Sequence, residues 1–140
     1  SDVGVLHNLE SLSEWAKQVT PELARSVYVY TFNGPLFFGE AKNFTDALSR
    51  LDEVTYVVLR FYRVPVIDQT GLYALEDAIQ SLRRRGVHVL SAGLNGGLRD
   101  ELERLGAHEE VFHHAFENLE DALVSIDTHA AAQEAVPGKS

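Results

Sequence analysis

The residues that most constrain the fold are Val54 to Tyr62. Both alternating sets in this run are apolar, apart from Thr55 and Arg60. Side chains of a strand alternate between its two faces. A run like this therefore suits a central strand covered on at least one face and partly on the other. Pro65 has no amide to donate, which ends the strand near Arg63. Asp68-Gln69-Thr70-Gly71 then turns into a helix whose buried stripe is Leu72, Leu75, Ile79 and Leu82. Arg83-Arg84-Arg85 occupies its last turn, where cations suit the negative end of the helix dipole, and Gly86 stands just past the end. Val87 to Ala92 reads as the next strand. Strand, helix and strand at this spacing require a parallel crossover.

The flanks extend the pattern. Ser26 to Phe32 is rich in aromatic and β-branched residues and predicts a strand. Asn33-Gly34 is a strong tight-turn dipeptide, so Pro35 to Phe38 is expected to return as the second arm of a β-hairpin. Phe44, Ala47, Leu48 and Leu51 share one helical face. Leu98, Leu102 and Leu105 mark a further helix closed by Gly106, Val111-Phe112 a short edge strand, and Phe116, Leu119, Leu123 and Ile126 a last helical face. Residues 1–25, with a short helix at Leu9, Leu12 and Trp15, are expected to be a loosely packed linker or leader, and residues 127–140 a frayed, flexible tail. The predicted domain spans 26–126. It is an α/β fold: a mixed, mostly parallel sheet with an N-terminal β-hairpin and about four α-helices packed mainly on one face.

Composition sets what such a domain can do. The 140 residues carry a formal net charge of -9, which disfavours nucleic acid and anionic membrane surfaces as partners. Cys is absent, so disulfides, thiolate nucleophiles and Cys-ligated zinc are excluded. No stretch is long and apolar enough to span a bilayer. Ser1 to Gly4 lacks the basic and apolar regions of a secretory signal, and the chain has no Met, so it is expected to be a portion or processed form of a longer protein.

Ligands of parallel sheets gather at the carboxyl ends of the strands, which directs attention to two loops. In the first, Asp68 is a helix N-cap by residue type. Alternatively, the corner Asp68-Gln69-Thr70-Gly71 is a switch, with Thr70 the hydroxyl available for phosphorylation. In the second, Gly93-Leu94-Asn95-Gly96-Gly97 is either a turn capped by Asn95 or a backbone cradle for an anion or nucleotide, formed around Gly93, Asn95, Gly96 and Gly97. It is not a Walker motif and misses the dinucleotide spacing. His108, His113 and His114 beside Glu109 and Glu110 match no standard ligand set, so surface histidines and no metal are expected. Arg83 to Arg85 is expected to be a solvated helix end or a small anchor for an acidic partner. No Gly-x-Ser-x-Gly elbow and no carboxylate pair in a pKa-raising context is present, so neither catalysis nor a cofactor is expected.

From Val57 through Gly106 the chain resembles a STAS domain, the module shared by sulfate transporters and anti-sigma-factor antagonists. The resemblance rests on the apolar strand, Val66-Ile67-Asp68-Gln69-Thr70-Gly71, Arg85-Gly86-Val87, Ala92-Gly93-Leu94-Asn95 and Leu102-Glu103-Arg104-Leu105-Gly106. The block from Tyr28 to Ala41, with Gly34-Pro35-Leu36-Phe37-Phe38-Gly39 at its centre, is similar to the cytosolic domains of SulP-type anion transporters. In the antagonists the residue after the Asp is a phosphorylated Ser; here it is Gln69. That departure favours the transporter module over a free-standing partner-switching protein. The resemblance implies a non-enzymatic domain on the cytoplasmic face of the cell membrane. Its implied partners are the membrane domain of the same transporter, a second copy in a homodimer, and a cytosolic regulatory protein.

Overall fold

The computed structural model describes residues 9–111 and 113–135. In chain order these form α1 (Leu9–Ala16), α2 (Pro21–Arg25), β1 (Val27–Asn33), α3 (Phe38–Leu48), β2 (Tyr56–Arg63), α4 (Gln69–Arg84), β3 (His88–Ala92) and α5 (Gly96–Arg104). A short 3-10 turn (Glu109–Val111), β4 (Ala115–Phe116) and α6 (Leu119–Glu134) follow. The strands pair in chain order, β1-β2-β3-β4, and every pairing is parallel. Val58, for example, lies between Val29 and Leu90. The α/β class and the parallel crossovers expected from the sequence are both present.

The period-2 alternation sorts the strand residues into two cores. Tyr30, Phe32, Val57, Leu59, Phe61 and Val89 face α3, α4 and α5, and meet Phe44, Leu72, Leu75, Ile79 and Leu102. Phe32 is fully buried there, edge-on to Phe44 at 5.0 Å and stacked on Phe61 at 5.0 Å. On the opposite face Val29, Tyr56, Val58 and Leu90 meet Trp15, Leu119, Leu123 and Ile126, with α1, α2 and α6 as cover. The expectation of helices mainly on one face is therefore corrected. A central strand that is apolar on both sets needs both faces covered, and the residues assigned to the leader, together with the last predicted helical face, supply the second layer.

That layer changes the reading of both ends. Trp15 is buried, and its Nε1 donates to Asp127 Oδ1 at 2.8 Å; Ser11 Oγ donates to Glu120 at 2.7 Å. The described part of the leader is thus firmly docked. Of the expected tail, residues 127–134 continue α6, while 136–140 lie outside the described residues, as do 1–8 of the leader.

The expected β-hairpin does not form. Gly34, with a φ of 91°, turns the chain across the ends of the strands instead of back along β1. The Asn33 amide donates to Glu40 Oε2 at 2.8 Å, and the Leu36 amide to the Val66 carbonyl at 2.9 Å. Leu36 makes a single parallel bridge to Ile67, and α3 begins at Phe38. Burial of Leu36 over the core outweighs the local turn preference. The edge strand is also displaced. Val111 ends the 3-10 turn and is buried, Phe112 lies outside the described residues, and β4 pairs Ala115 with Ser91 and Phe116 with Ala92.

Candidate functional site at the carboxyl ends of the strands

Because β2 and β3 are parallel neighbours, the two loops singled out by the sequence leave the same end of the sheet. Asp68 caps α4: its Oδ1 accepts the Gly71 amide at 2.7 Å. Asn95 caps α5 in the same way, accepting the Leu98 amide at 2.8 Å. Both side chains therefore satisfy helix amides that would otherwise lack an intrahelical partner. Asp68→Ala should cost about 1 kcal/mol of stability, read as a lower denaturation midpoint; an unchanged midpoint would show that the cap contributes nothing.

Thr70 is exposed on the first turn of α4. Gln69 points elsewhere, its Nε2 donating to the Leu105 carbonyl at 3.5 Å and tying α4 to the end of α5. Gly71 sits where a side chain has no room. A Cβ there would lie 1.8 Å from the Leu36 carbonyl oxygen. The segment that replaced the hairpin thus packs directly on the Asp68–Gly71 corner.

The second loop is closed from above. Gly93 is buried with a φ of 81°, and a Cβ there would lie 2.8 Å from the Tyr62 ring. Tyr62 is anchored in turn, its hydroxyl donating to the Glu117 carbonyl at 3.1 Å. The Gly96 position opens onto free space, and a Cβ at Gly97 would meet only Asn95 Oδ1, at 3.4 Å. Among the four loop residues, Gly93 alone is held by its neighbours' bulk.

Beneath Tyr62 lies a functional-site candidate that belongs to neither loop motif. Arg60, the charged member of the apolar run, places its guanidinium carbon 4.5 Å from the Tyr62 ring centroid and donates through Nη1 to Thr31 Oγ1 at 3.0 Å. Its Nε is buried without a hydrogen-bond partner. Burial lowers the guanidinium's pKa from its ordinary value, with Arg63 adding to the effect. Burial also raises the Tyr62 hydroxyl. The signal was present, since a lone Arg inside an apolar strand has to find cover.

Around this end of the sheet large apolar side chains stay exposed. Phe38 is 62% and Tyr73 60% accessible, and Phe37 and Val66 are exposed beside the Leu36–Ile67 bridge. Elsewhere, His108, His113 and His114 are exposed, and among the described residues no group of three potential ligands is placed to hold a metal ion. Arg84 and Arg85 are exposed, whereas Arg83 is half-buried and donates to the Val89 carbonyl at 3.3 Å. Among the described residues no helix is long and apolar enough to cross a membrane.

Comparison with known proteins agrees with this architecture. The family model described as STAS domain matches residues 15–122. The bicarbonate transporter BicA of Synechocystis sp. is 28% identical over 108 residues, which are 74% of this chain and 19% of that protein. This chain therefore corresponds to a small part of that relative's length. The crystal structure of a sulfate transporter family protein from Wolinella succinogenes is 33% identical, with a TM-score of 0.69 over 76% of this chain and 88% of that one. The STAS domain of a SulP transporter from Vibrio cholerae is 30% identical, with a TM-score of 0.68 over 89% of this chain and 97% of that one. With a docked Trp15 at the start of the matched region and α6 at its end, the chain belongs to the STAS domain family and is related to the STAS domains of SulP transporters.

Proposed function

We propose that this chain is the cytosolic, non-catalytic STAS module of a SulP-type secondary anion transporter, whose cargo is an oxyanion such as sulfate or bicarbonate. One observation carries the reading. The likeness spans nearly all of a solved transporter STAS domain but only 19% of a whole bicarbonate transporter. On this reading the module acts by contact with the membrane domain of its own protein, with a second copy, and with a cytosolic regulator. The exposed Phe37, Phe38, Val66 and Tyr73 are the surface for the first of these, because exposed apolar groups gain most from being covered.

The test uses the full-length transporter in membranes. Phe38→Asp combined with Tyr73→Asp should lower anion uptake about tenfold, the loss expected when roughly 1.4 kcal/mol of contact disappears. Protein level and the fold of the isolated module should be unchanged. Thr70→Glu, compared with Thr70→Val, asks in the same assay whether the corner is also a switch. On that proposal, only the charged substitution changes the rate. Full uptake after removal of residues 9–135 would sink the module's role altogether.

A further inference from the structure

A second cluster lies at the opposite, amino end of the sheet. Tyr56 opens β2 and His88 opens β3, and parallel pairing sets them side by side. His129, in the second half of α6, lies against both. Its ring centroid is 4.1 Å from that of His88 and 5.5 Å from that of Tyr56, and its Nδ1 is 2.6 Å from the Tyr56 hydroxyl. The Tyr56 and His88 rings stack at 5.4 Å. A cavity of about 60 Å³ beside them, lined by His88, His114, Ser125 and His129, is large enough to admit water.

We propose that Tyr56, His88 and His129 form a proton-operated latch, which holds the second half of α6 on the sheet while the rings are neutral and releases it when the histidines take up protons in mild acid. Neutral His129 accepts the Tyr56 hydroxyl proton at Nδ1. Charge on both histidines places two like charges on rings 4.1 Å apart.

The surrounding groups do little to offset that repulsion. His114, ahead of β4, and Arg83 of α4 add positive charge. On α6 itself Asp127 is engaged by the Trp15 indole, and Glu22 of α2 and Glu134 line the wider cleft. Among the described residues no ion pair joins these carboxylates to His88 or His129. Partial desolvation by the neighbouring packed groups, then His129 and His114, hold His88 below its ordinary 6.5 although much of its ring meets solvent. Partial desolvation, then His113, Arg83 and His129, do the same for His114. Groups with a depressed folded-state pKa bind protons better once released. The docked state is therefore fully stable above about pH 6.5 and loses stability as the pH falls toward the lower folded-state values.

Trp15 is the chain's single tryptophan and hydrogen-bonds α6 two residues before His129, so its fluorescence reports docking. In the 140-residue chain, Trp15 emission should shift to the red between about pH 6.5 and 5. Over the same range amides 127–134 should lose about tenfold in exchange protection, while 57–61 keep theirs. His129→Gln keeps a hydrogen-bonding partner for Tyr56 without the charge, and His88→Asn alters an exposed residue. Either substitution should abolish the shift or move its midpoint down by at least about half a pH unit. The latch is refuted if wild-type emission is flat down to pH 5, if both variants keep the wild-type midpoint, or if 57–61 lose protection together with 127–134.

Discussion

Gly71→Ala is expected to destabilise the domain by about 3 kcal/mol, near the upper end for forcing a methyl group into packed space. The added Cβ would lie 1.8 Å from a backbone oxygen, that of Leu36, and backbone cannot swing aside as a flexible side chain does. Relief requires moving either α4 or the Leu36 segment. The first breaks the Asp68 cap, and the second breaks the Leu36–Val66 hydrogen bond and uncovers the core. Gly96→Ala is the internal comparison. It also lies in the first turn of a helix but has open space around it, so it should be neutral or stabilising by up to about 1 kcal/mol. Denaturant titration of the two variants side by side measures the difference. Equal midpoints would mean that the contact with Leu36 relaxes freely.

Phe32→Ala should cost still more, about 3–5 kcal/mol. Phe32 is fully buried and touches the rings of Tyr30, Phe44 and Phe61, so truncation leaves a void between a strand, its neighbour and α3. Those aromatic groups are wedged between sheet and helix and cannot collapse together to fill it. Phe38→Ala, at a position 62% exposed, should change stability by less than about 0.5 kcal/mol. A thermal or denaturant midpoint for Phe32→Ala within that smaller range would contradict the packing described here.

The features legible in the sequence were those in which local preference and tertiary demand agree. Asp68 and Asn95 have the cap chemistry, stand before helical stripes, and cap. Gly86 stands past a helix end and takes the left-handed φ of 86° that such a position wants. The misread segments are those in which the two diverge. Asn33-Gly34 signals a hairpin, but Leu36 gains more by closing over the core, and Glu40 then satisfies the freed Asn33 amide. The Ala- and Gln-rich stretch after Asp127 has no strong apolar period, yet it continues as helix because His129 finds partners on β2 and β3. Arg60 and its cover by Tyr62 join residues whose relation only the pleat reveals, two positions apart on one face.

The docking of Trp15 on α6 also orders events in time. Asp127 follows its partner by 112 positions, and most of the second core depends on residues from Leu119 onward. The strands pair in chain order, so a chain emerging from the ribosome can add β1, β2 and β3 to the sheet one after another, each backed on one side by α3 and then α4. The other side has no such sequence. Val29, Tyr56, Val58 and Leu90 stay without their α6 cover until α6 is made, some seconds after β3 at about 5–20 residues per second. During that interval the nascent domain is a half-covered sheet with an apolar face toward solvent. The early α1 can settle over that face but cannot seal it alone, and this interval is when the chain most needs a chaperone.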